Sequence, residues 1–233
     1  MDRVIVITGG TSGYGYATAE KFAKSGDKVI VVARTASAVE ETKNALGVDG
    51  FAADITKEED WIVLRDYVSE KYGCIDILIN NAGGGVVIKP FLEQTSEQIT
   101  YSIDLNLTGM MWGCKAFAPM MVEKKSGTII NVSSACATHC WPGFSVYAAA
   151  KTGMLSFSKS LYVELRAQGI RVTCMIPGAG ESNFSVNAGM EPYPLIMKSA
   201  DFAQAIVDVC NLPMHIVVED MTVWGIDQEL IPL

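Results

Sequence analysis

Tyr147 and Lys151 stand at positions i and i+4 of a predicted helix, so both side chains lie on one helix face. A free tyrosine has a pKa of about 10, too high for efficient proton exchange at neutral pH. A nearby ammonium favours the phenolate and lowers that pKa. The pair could therefore exchange a proton with an alcohol or carbonyl oxygen. Taken alone the spacing is common, and ordinary surface packing is the alternative.

A third polar residue, Ser134, follows an apolar run that is typical of a buried strand. Its hydroxyl could hydrogen-bond the substrate oxygen and stabilise charge that develops there. The combination of Ser134, Tyr147 and Lys151 is much more specific than the helical pair alone.

A glycine-rich turn follows the first apolar run and precedes a helix, with the sequence Thr8-Gly9-Gly10-Thr11-Ser12-Gly13-Tyr14-Gly15. Glycines let the backbone turn tightly and approach a pyrophosphate, and the helix N-terminus offers free N–H groups to it. No Gly-Lys-Ser/Thr sequence follows, so the turn is not a P-loop. Its position predicts a dinucleotide site, and a turn without a ligand is the alternative.

The end of the second predicted strand indicates which dinucleotide would bind. NAD sites carry a carboxylate there for the ribose hydroxyls. This chain has Arg34 instead, whose guanidinium can pair with a 2′-phosphate. The sequence therefore predicts NADP and makes NAD less favoured, although Arg34 could also be an ordinary surface residue. Asp54, after the third strand, could accept from the adenine amino group or cap a turn.

Apolar strands and helical patterns alternate along the whole chain. The predicted strands are Arg3–Thr8, Lys28–Ala33, Gly50–Ala53, Ile75–Ile79, Thr128–Val132, Ile170–Met175 and Ile216–Val223. The predicted helices are Tyr14–Ser25, Ser37–Leu46, Glu58–Lys71, Ser96–Glu123, Val146–Arg166 and Ser199–Val209. This order predicts one doubly wound α/β domain over residues 1–233, with a parallel sheet of seven strands covered on both faces. Residues 178–198 lack periodicity and follow a strand, so we expect them to cover the substrate.

Composition narrows the class of protein. A content of 49% hydrophobic residues predicts a packed globule, and a net charge of −8 argues against nucleic acid and anionic membranes as partners. No apolar run reaches the roughly 20 residues of a membrane span. The start of the chain has no signal-peptide pattern, so we expect a cytoplasmic protein.

The six cysteines form no C-x-x-C pair, so we expect reduced thiols. Of the possible metal ligands, Cys136, His139 and Cys140 lack an evident fourth partner, so we expect no metal.

Together these motifs resemble the short-chain dehydrogenase/reductase family. The matching residues, in family order and at family spacing, are Thr8-Gly9-x-x-x-Gly13-x-Gly15, Asp54, Asn80-Asn81-Ala82-Gly83, Asn106, Ser134, Tyr147-x-x-x-Lys151 and Pro177-Gly178. The resemblance implies a Rossmann fold and hydride transfer between NAD(P) and an alcohol or ketone. It also implies a catalytic tetrad of Asn106, Ser134, Tyr147 and Lys151, in which Asn106 anchors a water that links Lys151 to solvent.

The resemblance further implies which residues surround the cofactor. They are Gly9, Thr11, Ser12, Gly13, Tyr14, Gly15, Arg34, Asp54, Ile55, Asn81, Ala82, Gly83, Tyr147, Lys151, Pro177, Gly178 and Ser182. It implies a homodimer or homotetramer, with an interface formed by the helices that hold Asn106 and Tyr147. Within the family, two runs are similar to the 3-hydroxy acid and serine dehydrogenases and the related sulfoacetaldehyde reductases. These runs are Ser182-Asn-Phe184-Ser and Leu212-Pro-Met-His215-Ile-Val.

One departure from the family pattern concerns the cofactor. Gly180 stands where the family usually has a branched apolar residue. We therefore expect the contact with the nicotinamide carboxamide to differ in detail.

A second departure concerns the substrate. The loop from Gly178 to Met197 contains Glu181 and Glu191 but no Lys or Arg, whereas a carboxylate or sulfonate substrate normally requires a cation. The nearby candidates in sequence are Lys89, His139 and Lys198. Apolar residues of the region favour a neutral, partly apolar small molecule instead, although each could be an ordinary core or oligomer contact. They are Val86, Val87, Ile88, Trp141, Phe144, Phe184 and Met190.

Three other kinds of protein fit these motifs less well. A non-catalytic NADP-binding sensor would predict loss of Ser134, Tyr147 or Lys151, and all three are present. A sugar-nucleotide epimerase or dehydratase would space its glycines as G-x-x-G-x-x-G and carry a further C-terminal region. An enoyl-thioester reductase would space its Tyr and Lys more widely. We therefore expect an NADP(H)-dependent oxidoreductase that interconverts a secondary alcohol, or hydroxy acid, and its ketone or aldehyde.

Overall fold

The strands and helices alternate in the order that the sequence predicts. The computed structural model describes residues 2–84, 87–181, 184, 188–189 and 197–228. Its strands are β1 Val4–Thr8, β2 Lys28–Ala33, β3 Asp49–Ala52, β4 Ile77–Asn80, β5 Gly127–Val132, β6 Ile170–Pro177 and β7 Asp220–Val223. The α-helices of the described ranges are α1 Gly13–Lys24, α2 Ala36–Leu46, α3 Glu58–Tyr72, α4 Ser96–Ile103, α5 Gly109–Lys124, α6 Ser145–Leu165 and α7 Ser199–Asn211.

The strands form one sheet in the order β3-β2-β1-β4-β5-β6-β7, and every neighbouring pair is parallel. The predicted single-domain, seven-stranded Rossmann fold is therefore confirmed. Strands β2 and β3 are added to one side of β1, whereas β4 to β7 are added to its other side. The order of the strands therefore reverses between β1 and β4, where Ile5 pairs with Ile77. At such a switch point the connections leave to opposite faces and open a crevice beyond the carboxyl ends of the strands, where doubly wound sheets bind ligands.

Two apolar layers hold the sheet between its helices. On one face, Trp61 of α3 and Phe117 of α5 are almost fully buried against the strands. On the other face, Phe22 of α1 packs with Phe202 and Ile206 of α7. Burial on both faces explains why the central strands are continuous apolar runs.

Two predicted elements differ from the structure. The helix predicted over Ser96–Glu123 is interrupted by a π-helical turn, Asp104–Thr108, which separates α4 from α5. At its end Gly109 packs so closely on the Ile55 carbonyl that a Cβ would lie 2.7 Å from that oxygen. The strand predicted from Ile216 begins only at Asp220, because the Ile216 N–H donates to the Pro213 carbonyl in a turn.

Over the described ranges, none of the helices combines the length and the apolar character that crossing a bilayer requires.

Candidate active site

Those predicted site residues that the structure describes meet near the carboxyl edge of the sheet. The glycine-rich turn follows β1, the Asn81–Gly83 segment follows β4, and Ser134 follows β5. Pro177 ends β6, with Gly178 directly after it. Because all these strands are parallel, segments far apart in sequence meet at one edge.

Backbone geometry of the glycine turn explains why its residues are glycine. Gly9 and Gly13 have φ angles of 64° and 51°, which side chains rarely adopt. At Gly15 a Cβ would collide with the Gly9 carbonyl oxygen and lie 2.5 Å from the Asn81 Nδ2 atom. The turn is thus tight enough to let a phosphate approach the backbone.

Hydrogen bonds tie this turn to the neighbouring strands. The Thr8 hydroxyl accepts from the backbone N–H groups of Asn81 and Ala82 at 3.1 and 3.0 Å. The Asn81 side-chain amide donates to the Thr8 carbonyl at 3.0 Å, and the Gly9 N–H donates to the Val32 carbonyl at 2.8 Å. The strands therefore hold the turn rigidly in position.

The first turn of α1 favours an anion. Ser12 is the N-cap but, within the described residues, its side chain caps no helix N–H group, and the first turn carries no acidic residue. Ser12 is exposed and Thr11 is half-buried. The N–H groups and the positive end of the helix dipole are therefore available to a phosphate.

Arg34 lies just beyond β2 with an exposed side chain. Its Nη1 atom donates to the Tyr101 hydroxyl of α4 at 2.5 Å. The sequence analysis missed Tyr101, since no local pattern connects it to Arg34. This hydrogen bond connects the guanidinium to α4.

Asp54 and Ile55 take part in local structure. One Asp54 carboxylate oxygen, Oδ1, accepts from the Thr56 N–H and hydroxyl at 3.1 and 2.8 Å, so the turn-capping alternative describes this carboxylate. Ile55 is buried, and its carbonyl accepts from the Trp61 indole N–H at 2.9 Å. Adenine contacts by these two residues stay a prediction.

Lys151 is buried directly beneath the carboxyl edge of the sheet. Its side chain is 2% exposed, and its Nζ atom donates to the Val132 carbonyl at 3.0 Å. The Ser133 hydroxyl donates to the Lys151 carbonyl at 2.9 Å and anchors α6 to β5. Burial lowers the pKa of the Lys151 amine from its ordinary 10.5 to about 8.

Tyr147 is buried one turn earlier on α6, and its ring centre lies 5.7 Å from the Lys151 Nζ atom. Burial is the largest influence on the phenol and raises its pKa above the ordinary value. A hydrogen bond with the Ser134 side chain acts in the opposite direction. At neutral pH the phenol is therefore protonated and can donate. Ser134 also accepts from the Cys136 N–H at 3.2 Å.

Asn106 occupies the centre of the π-helical turn and is fully buried. Its side-chain N–H group donates to the Gly84 and Ser102 carbonyls, both at 3.0 Å, while its Oδ1 atom accepts from the Gly84 N–H at 2.9 Å. A Cβ at Gly83 would lie 2.9 Å from Asn106 Oδ1 and 3.2 Å from Lys151 Nζ. The turn thus brings Asn106, Gly83 and Lys151 together, and π-turns are frequent at functional sites.

Aromatic rings surround the Tyr147 phenol. Phe184 packs edge-on against it with ring centres 5.3 Å apart, and Phe144 stacks on Phe184 at 6.4 Å. Beyond them, Trp141 lies 6.3 Å from Phe144. The side of the site nearest the phenol is therefore largely apolar.

Two C-terminal residues at the site were missed by the sequence analysis, Trp224 and Gln228. A Cβ at Gly178 would lie 2.6 Å from the Trp224 ring, and the Gln228 side-chain oxygen accepts from the Ala179 N–H at 2.8 Å. The Trp224 ring also packs edge-on against His139 at 5.3 Å. No motif marks these residues, because β7 brings them back to the Pro-Gly segment only in the folded chain.

Some predicted residues fall outside the described ones, namely Val86, Ser182, Met190 and Glu191. Val87, Ile88 and Lys89 are half-buried, and the Lys89 N–H group would lie 3.4 Å from a Cβ at Gly143. Lys198 is exposed at the start of α7.

The described residues contain no group of three His, Cys, Asp or Glu side chains placed to hold a metal.

Two observations indicate that the residues of this site suit a dinucleotide. The glycine-rich turn over residues 8–15 forms a cradle, called here the glycine cradle, that a Cβ at Gly9 or Gly15 would fill. Its shape therefore suits a group that approaches the backbone. In addition, the Tyr14 hydroxyl is buried beside this cradle without a hydrogen-bond partner among the described residues. Buried hydroxyls are normally paired, so this one is suited to a ligand.

The fold and this arrangement define a class of protein. A model of the protein family described as short chain dehydrogenase matches residues 3–191. The chain belongs to that family of oxidoreductases. The predicted family membership is therefore confirmed.

Among individual relatives, the chain is 33% identical to a serine 3-dehydrogenase from Rhizobium radiobacter, over 98% of this chain and 96% of the relative. It is 33% identical to a 2-(R)-hydroxypropyl-CoM dehydrogenase from Xanthobacter autotrophicus, over 78% of this chain and 76% of the relative. A solved closed form of serine dehydrogenase complexed with NADP+ superimposes with a TM-score of 0.93 at 27% identity, covering 99% and 98% of the two chains. The predicted similarity to the serine dehydrogenase subgroup is confirmed.

Proposed function

We propose that the chain is an NADP(H)-dependent oxidoreductase that interconverts a secondary alcohol, or a hydroxy acid, with its ketone or aldehyde. One observation carries the proposal: the buried side chains of Tyr147 and Lys151 lie at the same edge of the sheet as the glycine cradle that follows β1. This juxtaposition supports proton transfer beside a bound dinucleotide.

The cofactor would lie along the carboxyl edge of the sheet. Its pyrophosphate would be held by the glycine turn and the N–H groups of α1, and its 2′-phosphate by Arg34 with Thr11 and Ser12. The solved relative described as complexed with NADP+ supports the choice of NADP. When bound, the nicotinamide supplies or takes up the hydride that changes the oxidation state of the substrate carbon.

The protein groups supply the proton. In the reducing direction the Tyr147 phenol donates a proton to the carbonyl oxygen, and in the oxidising direction its phenolate removes one from the alcohol. The Lys151 ammonium stabilises the phenolate, since its pKa of about 8 leaves it mainly charged at pH 7. The Ser134 hydroxyl hydrogen-bonds the substrate oxygen. Asn106 would anchor the water that reprotonates the site.

The substrate is proposed to be neutral and partly apolar. The rings of Phe144 and Phe184 beside Tyr147 support this, because such a surface favours apolar groups. Of the candidate cations named from the sequence, Lys89 is half-buried with its backbone beside Gly143, and Lys198 is exposed at the start of α7. A hydroxy acid such as serine is the second candidate, favoured by the names of the relatives.

Two features outside the chemistry belong to the same proposal. Residues 178–198 would cover the substrate, since they follow β6 at the carboxyl edge and include Phe184 beside the phenol. The protein would act in the cytoplasm as a homodimer or homotetramer through the helices that carry Asn106 and Tyr147.

The test is a kinetic panel with the purified protein. NADPH oxidation is followed with small aldehydes, diketones and β-keto esters, and NADP+ reduction with L-serine and 3-hydroxybutyrate. We expect a higher kcat/KM for neutral carbonyl compounds than for either hydroxy acid. A clear preference for L-serine would reject the neutral substrate but keep the oxidoreductase. NADPH binding without turnover across the panel would favour the sensor instead.

A further inference from the structure

The side chain of Tyr14 occupies an unusual place for a tyrosine. It is the second residue of α1, between two glycines of the turn, and its ring packs on Phe202 with centres 4.5 Å apart. The hydroxyl oxygen is shielded from solvent and has no hydrogen-bond partner among the described residues. A buried donor without a partner is unfavourable, so some ligand group is needed to satisfy it.

Gly180 makes room for this ring. A Cβ at position 180 would overlap the Tyr14 hydroxyl and lie 2.9 Å from the Cε1 atom of the same ring. The φ angle of Gly180 lies outside the left-handed region, so its backbone conformation does not require glycine. The absence of a side chain at position 180 is therefore explained by the Tyr14 ring.

The backbone at Gly180 is fixed by Met197. The Met197 N–H donates to the Ala179 carbonyl at 3.1 Å, and the Glu181 N–H donates to the Met197 carbonyl at 2.8 Å. Since successive peptide groups of an extended segment point to opposite sides, the N–H and C=O groups of Gly180 itself are directed away from Met197. Gly180 thus presents one donor and one acceptor next to the Tyr14 hydroxyl.

We propose that Tyr14 and Gly180 form a coupled pair in which the Tyr14 hydroxyl hydrogen-bonds the carboxamide of the bound nicotinamide. This inference rests on the NADP(H) dependence proposed above. Gly180 follows β6, whereas Arg34 follows β2, so the hydroxyl lies toward the end of the site opposite the 2′-phosphate. A primary amide offers an acceptor and two donors, which matches a phenol hydroxyl beside a peptide N–H and C=O.

The hydroxyl is tested by measuring dissociation constants for the Tyr14→Phe variant by fluorescence titration. NADPH is compared with 2′-phospho-ADP-ribose, which lacks the nicotinamide. We expect NADPH to bind about threefold to tenfold more weakly and the fragment to bind unchanged. The melting temperature without ligand should not fall, because no protein partner is lost. Tyr16→Phe on the same helix is the matched control and should bind both ligands as the wild type does.

Two results would overturn the assignment: equal NADPH binding by wild type and Tyr14→Phe, or equal weakening for NADPH and the fragment, which would place the hydroxyl at the phosphates. A wild type that binds neither ligand would instead contradict the proposed function itself.

The coupling is tested by a double-mutant cycle. Gly180→Val alone should lower the melting temperature and weaken NADPH more than tenfold, because its side chain collides with the Tyr14 ring. Combined with Tyr14→Ile, which vacates that space, the same substitution should regain most of the melting temperature and bring NADPH affinity back to about that of Tyr14→Phe, since the hydroxyl is still absent. Additive losses in the double variant would contradict a coupled pair.

Discussion

The Nζ atom of Lys151 lies 5.7 Å from the centre of the Tyr147 ring, and both side chains are buried. Burial lowers the pKa of the amine to about 8 and raises the pKa of the phenol. The same desolvation that disfavours the Tyr147 phenolate also brings the pKa of the Lys151 amine close to neutral pH. The charge that stabilises the phenolate is therefore sensitive to small changes of pH.

The first prediction concerns the acid/base residue. Tyr147→Phe should lower kcat by about 10²- to 10⁴-fold, because the proton donor is removed while the ring is kept. NADPH affinity should change little, as measured by fluorescence titration. Tyr162→Phe, on the same helix, is the control and should retain wild-type turnover. A Tyr147→Phe enzyme with wild-type kcat would show that another group transfers the proton.

The second prediction is a pH dependence of stability. The folded-state pKa of Lys151 is about 8 against an ordinary 10.5, so between these values the unfolded chain binds more protons. Stability therefore rises with pH in this window, and the cost of the buried ammonium is fully present below pH 8.

Lys151→Met removes this titration. The difference in unfolding free energy between wild type and variant should shift in favour of the wild type by up to about 3 kcal/mol as the pH rises through that window. Urea unfolding at intervals from about pH 7 to 9.5 covers the lower part of this window, where the shift should reach about 2 kcal/mol. A difference that is constant over this range would mean that the amine keeps its ordinary pKa in the folded protein.

A third prediction addresses cofactor choice. Arg34→Ala should weaken NADPH binding by about tenfold to a hundredfold, because a charge-assisted hydrogen bond to the 2′-phosphate is lost, and should leave NADH nearly unaffected. Tyr101→Phe should have a smaller effect of the same kind, since it removes the hydrogen bond that connects the guanidinium to α4. Isothermal titration with both nucleotides measures these constants. Equal losses for NADPH and NADH would rule out a contact with the 2′-phosphate.

The fourth prediction tests the glycine cradle. Gly15→Ala should abolish measurable NADPH binding and lower the melting temperature, because its Cβ would collide with the Gly9 carbonyl and crowd Asn81. Gly225→Ala is the matched control, since a Cβ there meets no atom closer than 3.6 Å. If the Gly15→Ala variant bound NADPH normally, the cradle would not be the phosphate site.

Local features of the sequence predicted much of the fold and part of the site. The glycine turn, the strand runs and the i, i+4 spacing of Tyr147 and Lys151 each depend on neighbouring residues, so they can be recognised without a structure. Helix continuity was predicted wrongly around Asn106. There the apolar pattern continues, whereas packing of Gly109 on the Ile55 carbonyl accompanies a π-helical turn.

By itself, the sequence determined the order of strands and helices, the parallel sheet and the family, because these follow from short-range patterns and motif spacing. Only the tertiary structure decided that Tyr101 restrains Arg34, that Trp224 packs on Gly178, and that the Tyr14 ring fills the space beside Gly180. Each of these contacts joins residues far apart in the chain. Their meeting depends on how whole helices and strands pack, and no local pattern records that packing.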